Sequence, residues 1–454
     1  MLNDKNSMDQ YLYWSRFAIL ILLVGAAAGI GAIIFRYLIM FIHNIMFYGE
    51  FSITESFFAH AKPSRWGAGI IFVPVIGAFF VAFLVKNYAP EARGHGIPEA
   101  IDAIHYEHGI MRPIVSVIKS IASSISIGSG GSIGREGPII QIGATFGSAI
   151  GQWTNMLEKE RIILIACGAG AGLAATFNTP IGGVLFAIEV MLLELNTVGI
   201  IAITLATTIA TYLRHLYFGN DPFIPYTISS FSQIHLLNFV SYFILGITFG
   251  LMSVLFIRCI YWIEDFFDGM SGNYYVRHML GMLFVGISMY AMITMFGHYY
   301  IQGVGYATVL DVLVSKLTHP GFLLFLAFLK LVETTITLSS GGSGGVFSPL
   351  LFIGATLGAG VAGLCNYFLT GDMGISLQLG ALTGMAGMVG ASTGATLTSI
   401  VMVAEMTNNL LIAVPLMFST AIAYAIRLFF IKDSVYTFKL TRRGHIIPKP
   451  NTIA

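Results

Sequence analysis

KSIASSISIGSGGSIGREGPIIQIGATFG, residues 119–147, decides the fold, because the chain carries it twice. With Lys119 set over Lys330, KLVETTITLSSGGSGGVFSPLLFIGATLG (330–358) follows without a gap, and 13 of 29 positions are identical. The matches include Gly130/Gly341, Gly131/Gly342, Ser132/Ser343, Gly134/Gly345 and Pro138/Pro349. GHG (94–96) returns as GVG (303–305), and AIEVM (187–191) as VAEMT (403–407). Matched, Gly/Pro-interrupted apolar segments in two halves are the mark of a repeat-built transporter with a site near the bilayer midplane. Inverted repeats are the expected design.

Composition places the repeat in lipid. Of 454 residues, 56% are hydrophobic and 10% charged, with net charge +1. An ordinary soluble domain carries about 25% charged residues. Mean hydropathy is +0.81. A soluble enzyme, a disordered chain and a nucleic-acid binder, which needs a basic surface, are excluded. Cys167, Cys259 and Cys365 lie far apart in apolar runs and read as buried thiols, with no disulfide or zinc framework. Residues 1–16 are expected to form a polar cytoplasmic segment, followed by a retained, tilted span from Phe17 that lacks a small-residue cleavage site. The basic tail (Lys439, Arg442, Arg443, Lys449) puts the C-terminus on the cytoplasmic side.

Further apolar segments are expected at 67–86, 112–127, 137–153, 161–193 and 197–216. After a polar break at 218–222 come 235–263, 279–297, 319–338, 346–368, 376–406 and 410–430. The expected organisation is a first membrane repeat at 17–218, a second at 219–432, and a short 433–454 segment. A full span needs about 20 apolar residues. Several segments are shorter or broken, which is tolerated only where freed backbone groups face protein or a cavity.

The broken segments carry the chemistry. Gly128-Ser-Gly-Gly-Ser-Ile-Gly134 leads into a helix near Pro138, Gly345-Val-Phe-Ser-Pro349 repeats the construction, and Gly94-His-Gly-Ile-Pro98 shortens it. Proline suits a first helical turn. A helix N-terminus offers unpaired N–H donors and about half a positive charge, which together bind an anion. A phosphate-binding P-loop is excluded because Lys-Ser/Thr is missing. Gly168, Gly170 and Gly172 lack a βαβ context and read as close helix packing. His105 and His108 have metal-ligand spacing but no third ligand cluster, so no metal site and no cofactor is expected.

GHGIP (94–98), GREGP (134–138), GVFSP (345–349) and Tyr436 stand in the order seen in the CLC chloride channels and chloride/proton exchangers, which the chain resembles over almost its whole length. The resemblance implies an all-α integral membrane fold of two inverted helical repeats with broken, tilted helices and one pore per subunit. It also implies a homodimer in a prokaryotic inner membrane, without the C-terminal regulatory domains of eukaryotic members. Glu136 matches the gating glutamate. His95, Gly96, Arg135, Glu136, Gly137, Val346, Phe347 and Tyr436 match positions around the anion, Arg135–Gly137 and Val346–Phe347 through backbone N–H groups. Pro138, Phe347 and Tyr436 are where fluoride exporters typically depart, so chloride is the expected ligand. The physics agrees for Glu136: an intramembrane carboxylate is costly and usually functional. Ionised, it occupies an anion position at a helix terminus; protonated, it leaves. The competing structural role is an ion pair with Arg135. Phe347 is the repeat counterpart of Glu136, and its ring edge is weakly positive.

Two residues depart from the family pattern. His95 stands where serine is usual; its imidazole either tunes anion affinity with pH or is a neutral ring turned away, with the Gly94 and Gly96 backbone serving the anion. Val190 stands where exchangers commonly carry an internal proton-accepting glutamate after FNxPxxGxLFxxE. Valine holds no proton, so passive chloride conduction is the leading expectation and chloride/proton antiport with an atypical proton path the alternative. Glu194, one helical turn on, is the substitute proton-entry candidate beside Glu136, against the more ordinary reading of a solvated helix-end carboxylate. Glu405, the counterpart of Glu189, is expected to make a buried structural contact. An intramembrane serine protease built on Ser129, Ser132 or Ser343 lacks a placed histidine base, so no enzyme activity is expected.

Overall fold

A computed structural model describes residues 2–54, 56–193, 196–225, 235–368 and 373–447. Its helices fall into two sets of eight. The first is α1 (Leu2–Tyr48), α2 (Val73–Tyr88), α3 (Ile97–His105), α4 (Ile114–Gly128), α5 (Glu136–Trp153), α6 (Glu158–Phe177), α7 (Pro180–Phe186) and α8 (Thr197–Phe218). The second is α9 (Asn238–Gly269), α10 (Tyr274–Phe296), α11 (Tyr306–Leu313), α12 (Pro320–Ser339), α13 (Phe347–Phe368), α14 (Leu377–Thr393), α15 (Thr396–Met406) and α16 (Ala413–Phe430). A short α17 (Thr437–Arg442) follows. Nine helices among the described residues are long and apolar enough to cross a membrane. Large apolar side chains such as Phe79, Phe83, Trp262, Phe284 and Phe429 are exposed, as a lipid solvent permits. The chain is an integral membrane protein.

Two apolar runs that read as single segments are each broken in the structure. Residues 161–193 form α6 and α7, because Asn178 turns left-handed at φ 60° and Pro180 opens a new helix. Residues 376–406 form α14 and α15, parted at Gly394 with φ 83°. In the N-terminal segment, the backbone of residues 2–16 is already helical and continuous with the first span.

Glycine lets equivalent helices touch in both halves. A Cβ on Gly143 would lie 2.1 Å from the Gly168 carbonyl oxygen, so α5 and α6 meet backbone to backbone. Its counterpart Gly354 stands in the same relation to Gly384, also 2.1 Å, at the α13–α14 contact. The carboxylates of the AIEVM/VAEMT echo are reciprocal. Glu189, past the end of α7, accepts from Leu397 N (3.0 Å) and Thr398 N (2.7 Å) at the start of α15. Glu405 of α15 accepts from Ile181 N (3.1 Å) and Gly182 N (2.7 Å) at the start of α7. Each carboxylate caps the other half's helix and complements its dipole.

Candidate functional site

The broken loops of the two halves meet each other. Gly134 N donates to Gly345 O (2.7 Å) and Gly345 N to Gly134 O (2.6 Å), an antiparallel pair at the centre of the repeat. Gly94 N donates to Gly342 O (2.9 Å), and Gly344 N to Gly94 O (3.2 Å). Two buried lysines brace the surrounding loops. Lys119 Nζ donates to Ala92 O (3.0 Å) and Gly94 O (2.7 Å); Lys330 Nζ donates to Ile301 O (2.8 Å) and Gly303 O (2.6 Å). The serines of the repeat cross over between halves: Ser343 Oγ donates to Ala92 O (2.7 Å) and Ser132 Oγ to Ile301 O (3.1 Å). These serines therefore hold loops.

This bracing brings the starts of α3, α5 and α13 together. A Cβ on Gly137 would lie 2.3 Å from His95 O and 2.9 Å from the Gly345 Cα. Gly96 adopts φ 84° as α3 begins, and a side chain there would strike Gln141.

Glu136 is fully buried. Its carboxylate reaches across to the other half. Oε1 accepts from Tyr306 OH (2.5 Å) and from Ser348 Oγ; Oε2 accepts from Ser348 N (3.2 Å) at the start of α13. The carboxylate thus occupies the place where α13 presents its N-terminal donors and positive dipole end. Arg135 makes no ion pair with it among the described residues. The Arg135 guanidinium instead lies over Phe57, 4.5 Å from the ring centroid. It shares its flank with Arg36, which lies over Phe218 (4.1 Å), and with Arg214. Arg36 lies within electrostatic reach of Arg135 and Arg214, and Arg214 of Arg135, so this flank is positive.

On the other side, Val346, Phe347, His95 and Tyr436 are all buried. The His95 and Tyr436 rings are 6.4 Å apart, and among the described residues neither His95 Nδ1 nor Tyr436 OH has a hydrogen-bond partner. Buried polar atoms are rarely left unpaired. This pair fits an anion as ligand. A 20 Å³ cavity lined by Gly94, His95, Ser339 and Lys439 adjoins His95. His95 itself lies outside the membrane-spanning helices. Burial, then the Lys439 and Lys119 ammoniums, holds its imidazole far below the ordinary range, at about 3. Both influences disfavour the charged imidazole. Phe347 packs on Phe177 (5.4 Å).

Tyr436 is placed by a strap. Val435 N donates to Ser392 O (2.8 Å), and Tyr261 OH donates to Val435 O (2.6 Å). Beyond it, one face of α3 receives the tail. Glu99 takes Lys439 (3.1 Å) and Arg443 (2.9 Å), Asp102 takes His445 (2.6 Å), and the Tyr106 ring stacks on His445 at 4.2 Å. Val190 is buried beside α7. Glu194 lies outside the described residues. His105 and His108 find separate partners, Met191 O and Glu158. Tyr306 is the functional candidate that sequence reading missed. Its only signal was its place, directly after the GVG echo of GHG.

Two halves of eight helices, with interrupted helices converging on a buried carboxylate, define a membrane transporter of the repeat-built class. Residues 77–428 match the family described as voltage gated chloride channel, and the chain belongs to that family, the CLC proteins. It is 32% identical over 369 residues to the H(+)/Cl(-) exchange transporter ClcA of Yersinia pestis bv. Antiqua (strain Angola), covering 79% of this chain and 75% of that protein. ClcA of Salmonella paratyphi B (strain ATCC BAA-1250 / SPB7) is 29% identical over 401 residues, covering 87% and 81%. Among solved structures, a slow cyanobacterial Cl-/H+ antiporter aligns with TM-score 0.80 at 24% identity, covering 94% of this chain and 98% of that one. A CLC-type fluoride/proton antiporter aligns with TM-score 0.77 at 23% identity, covering 94% and 98%. Both share the fold.

Proposed function

We propose that this protein exchanges chloride for protons, with Glu136 as the group for which the two compete. The observation that carries the proposal is the Glu136 carboxylate at the start of α13, bound by two hydroxyls and one backbone N–H and, among the described residues, paired with no cation. A carboxylate held this way stands in for a chloride. On taking a proton it loses its attraction for the α13 dipole and gives up the position. Chloride then binds to the donors left free, between the α13 start, His95 and Tyr436. The relatives named as H(+)/Cl(-) exchangers weigh toward coupled transport. Retention of Pro138, Phe347 and Tyr436 supports chloride over fluoride. The protein works as a homodimer in a prokaryotic inner membrane.

Passive chloride conduction is the second reading, favoured by Val190, an apolar side chain where a proton carrier would be useful. The reversal potential of reconstituted protein under opposed chloride and pH gradients separates the two. Exchange displaces it from the chloride potential in proportion to the imposed pH difference. A reversal that follows chloride alone would establish the passive reading.

A further inference from the structure

Among the described residues, only two acidic side chains are buried: Glu136 and Glu333. Glu333 stands on α12, three residues after Lys330, and is fully buried. Neither of its oxygens has a well-formed hydrogen bond, and the groups that act on it are the Ser288 hydroxyl of α10 and the Lys330 ammonium. The other elements packed on α12 add no charge to its surroundings. α13 has no acidic or basic residue. Arg258, Glu264, Asp265 and Asp268 of α9, and Arg277 and His278 of α10, are not among the groups that shift it; Ser288 and Lys330 are.

A structural role does not account for this carboxylate. Lys330 grips the Ile301 and Gly303 carbonyls, and Lys119 grips Ala92 and Gly94 in the same way. Yet the counterpart of Glu333 beside Lys119 is Ala122. The lysine clamp needs no acidic neighbour. Burying an ionised carboxylate without partners is costly, and binding a proton removes that cost. Lys330 is within electrostatic reach of both Glu333 and Glu136. One ammonium balances one of two carboxylates.

We propose that Glu333 is a second proton-binding site, which trades its proton with Glu136 under the shared countercharge of Lys330. The proposal rests on the exchange reading above. With Glu136 ionised at the start of α13, Lys330 serves that charge and Glu333 carries the proton. When the proton passes to Glu136, one O–H bond is broken on Glu333 and one is made on Glu136. Glu333 is then the ionised partner of Lys330, Glu136 swings away, and chloride takes its place. Titration of interacting sites of this kind belongs to the pair.

The test uses full-length protein in liposomes, with chloride efflux and chloride-driven proton uptake recorded together for wild type, Glu333→Gln and Glu333→Asp. The expected result is that Glu333→Gln lowers proton uptake by about tenfold or more and keeps chloride efflux within about twofold. Glu333→Asp should restore the coupling. A wild-type ratio of protons to chloride in Glu333→Gln overturns the proposal. If wild type moves no protons, the exchange reading has failed on its own, before any variant is compared, and this proposal falls with it. Should Glu333→Gln not fold, Glu333→Ala, which places the residue found beside Lys119 next to Lys330, is recorded in the same way. Loss of proton uptake with chloride efflux kept supports the proposal, and a wild-type ratio of protons to chloride overturns it.

Discussion

Tyr306 donates to one oxygen of Glu136 from the first residue of α11, and touches Ser348 at the same point (2.5 Å). A hydrogen bond to an ionised group contributes about 1.5–3 kcal/mol. Tyr306→Phe removes that much from the arrangement in which Glu136 fills the anion position. Chloride efflux from liposomes at neutral pH should therefore rise by about tenfold, with the fold unchanged. An unaltered rate would mean that the tyrosine only packs. At this scale the sequence was informative where both halves carried the signal. Glu136 stands out because an acid interrupts an apolar glycine repeat. Tyr306 does not, because its counterpart, Ile97, is apolar, and its hydroxyl acquires meaning only once α11 lies beside the start of α13. His95 shows the converse. Its type suggests a pH switch, but burial, and then the Lys439 and Lys119 ammoniums, disfavour its charged form.

The strap of residues 433–447 turns α3 into the support of Tyr436. Burial tends to push the Glu99 carboxyl up, but the Lys439 ammonium and the Arg443 guanidinium outweigh it and hold it at about 2. Because the docked value lies below the ordinary 4.5, ionised Glu99 stabilises docking above that pH. The contribution fades as pH falls toward 2. Limited proteolysis should find the strap protected at neutral pH and open in acid, and Glu99→Gln should open it at neutral pH as well. Protection of Glu99→Gln equal to wild type would show that the ion pairs are dispensable. Elsewhere at this scale, the AIEVM/VAEMT echo made the Glu405 contact legible but not its reciprocity. Glu189→Ala exposes the first N–H groups of α15, and should cost about 0.5–2 kcal/mol of stability, read as a lowered Tm in detergent. The strap itself could not be read. Glu99 and Lys439 are 340 residues apart, and spacing in sequence says nothing about such pairs.

The molecule as a whole is two similar bodies joined through their interruptions. Its 51 glycines were legible as donors around an anion and as helix contacts, and Gly143 and Gly354 fill the second role at equivalent places. Gly143→Ala and Gly354→Ala each force a methyl group against a carbonyl oxygen. Overpacking of this kind costs about 1–3 kcal/mol, so both variants should lose Tm in detergent by similar amounts. A large loss at one position and none at the other would mean that the halves do not share their packing. The positive flank of Arg36, Arg135 and Arg214 was hidden by the near-zero net charge, since the three come from distant parts of the chain. The crossed serines carry one more consequence, for the order of events during synthesis. Ser132 is tied to a carbonyl 169 residues later, and Ser343 to one 251 residues earlier. Neither half can close its loops while the other is still unmade, and Tyr436 joins later still. Helices enter the bilayer one after another, but contacts of such long sequence separation form late. The nascent chain therefore passes through the membrane's assembly machinery with its pore chemistry unformed. It acquires a selective ion path only in the closing step of its folding, which spares the cell a leak during manufacture.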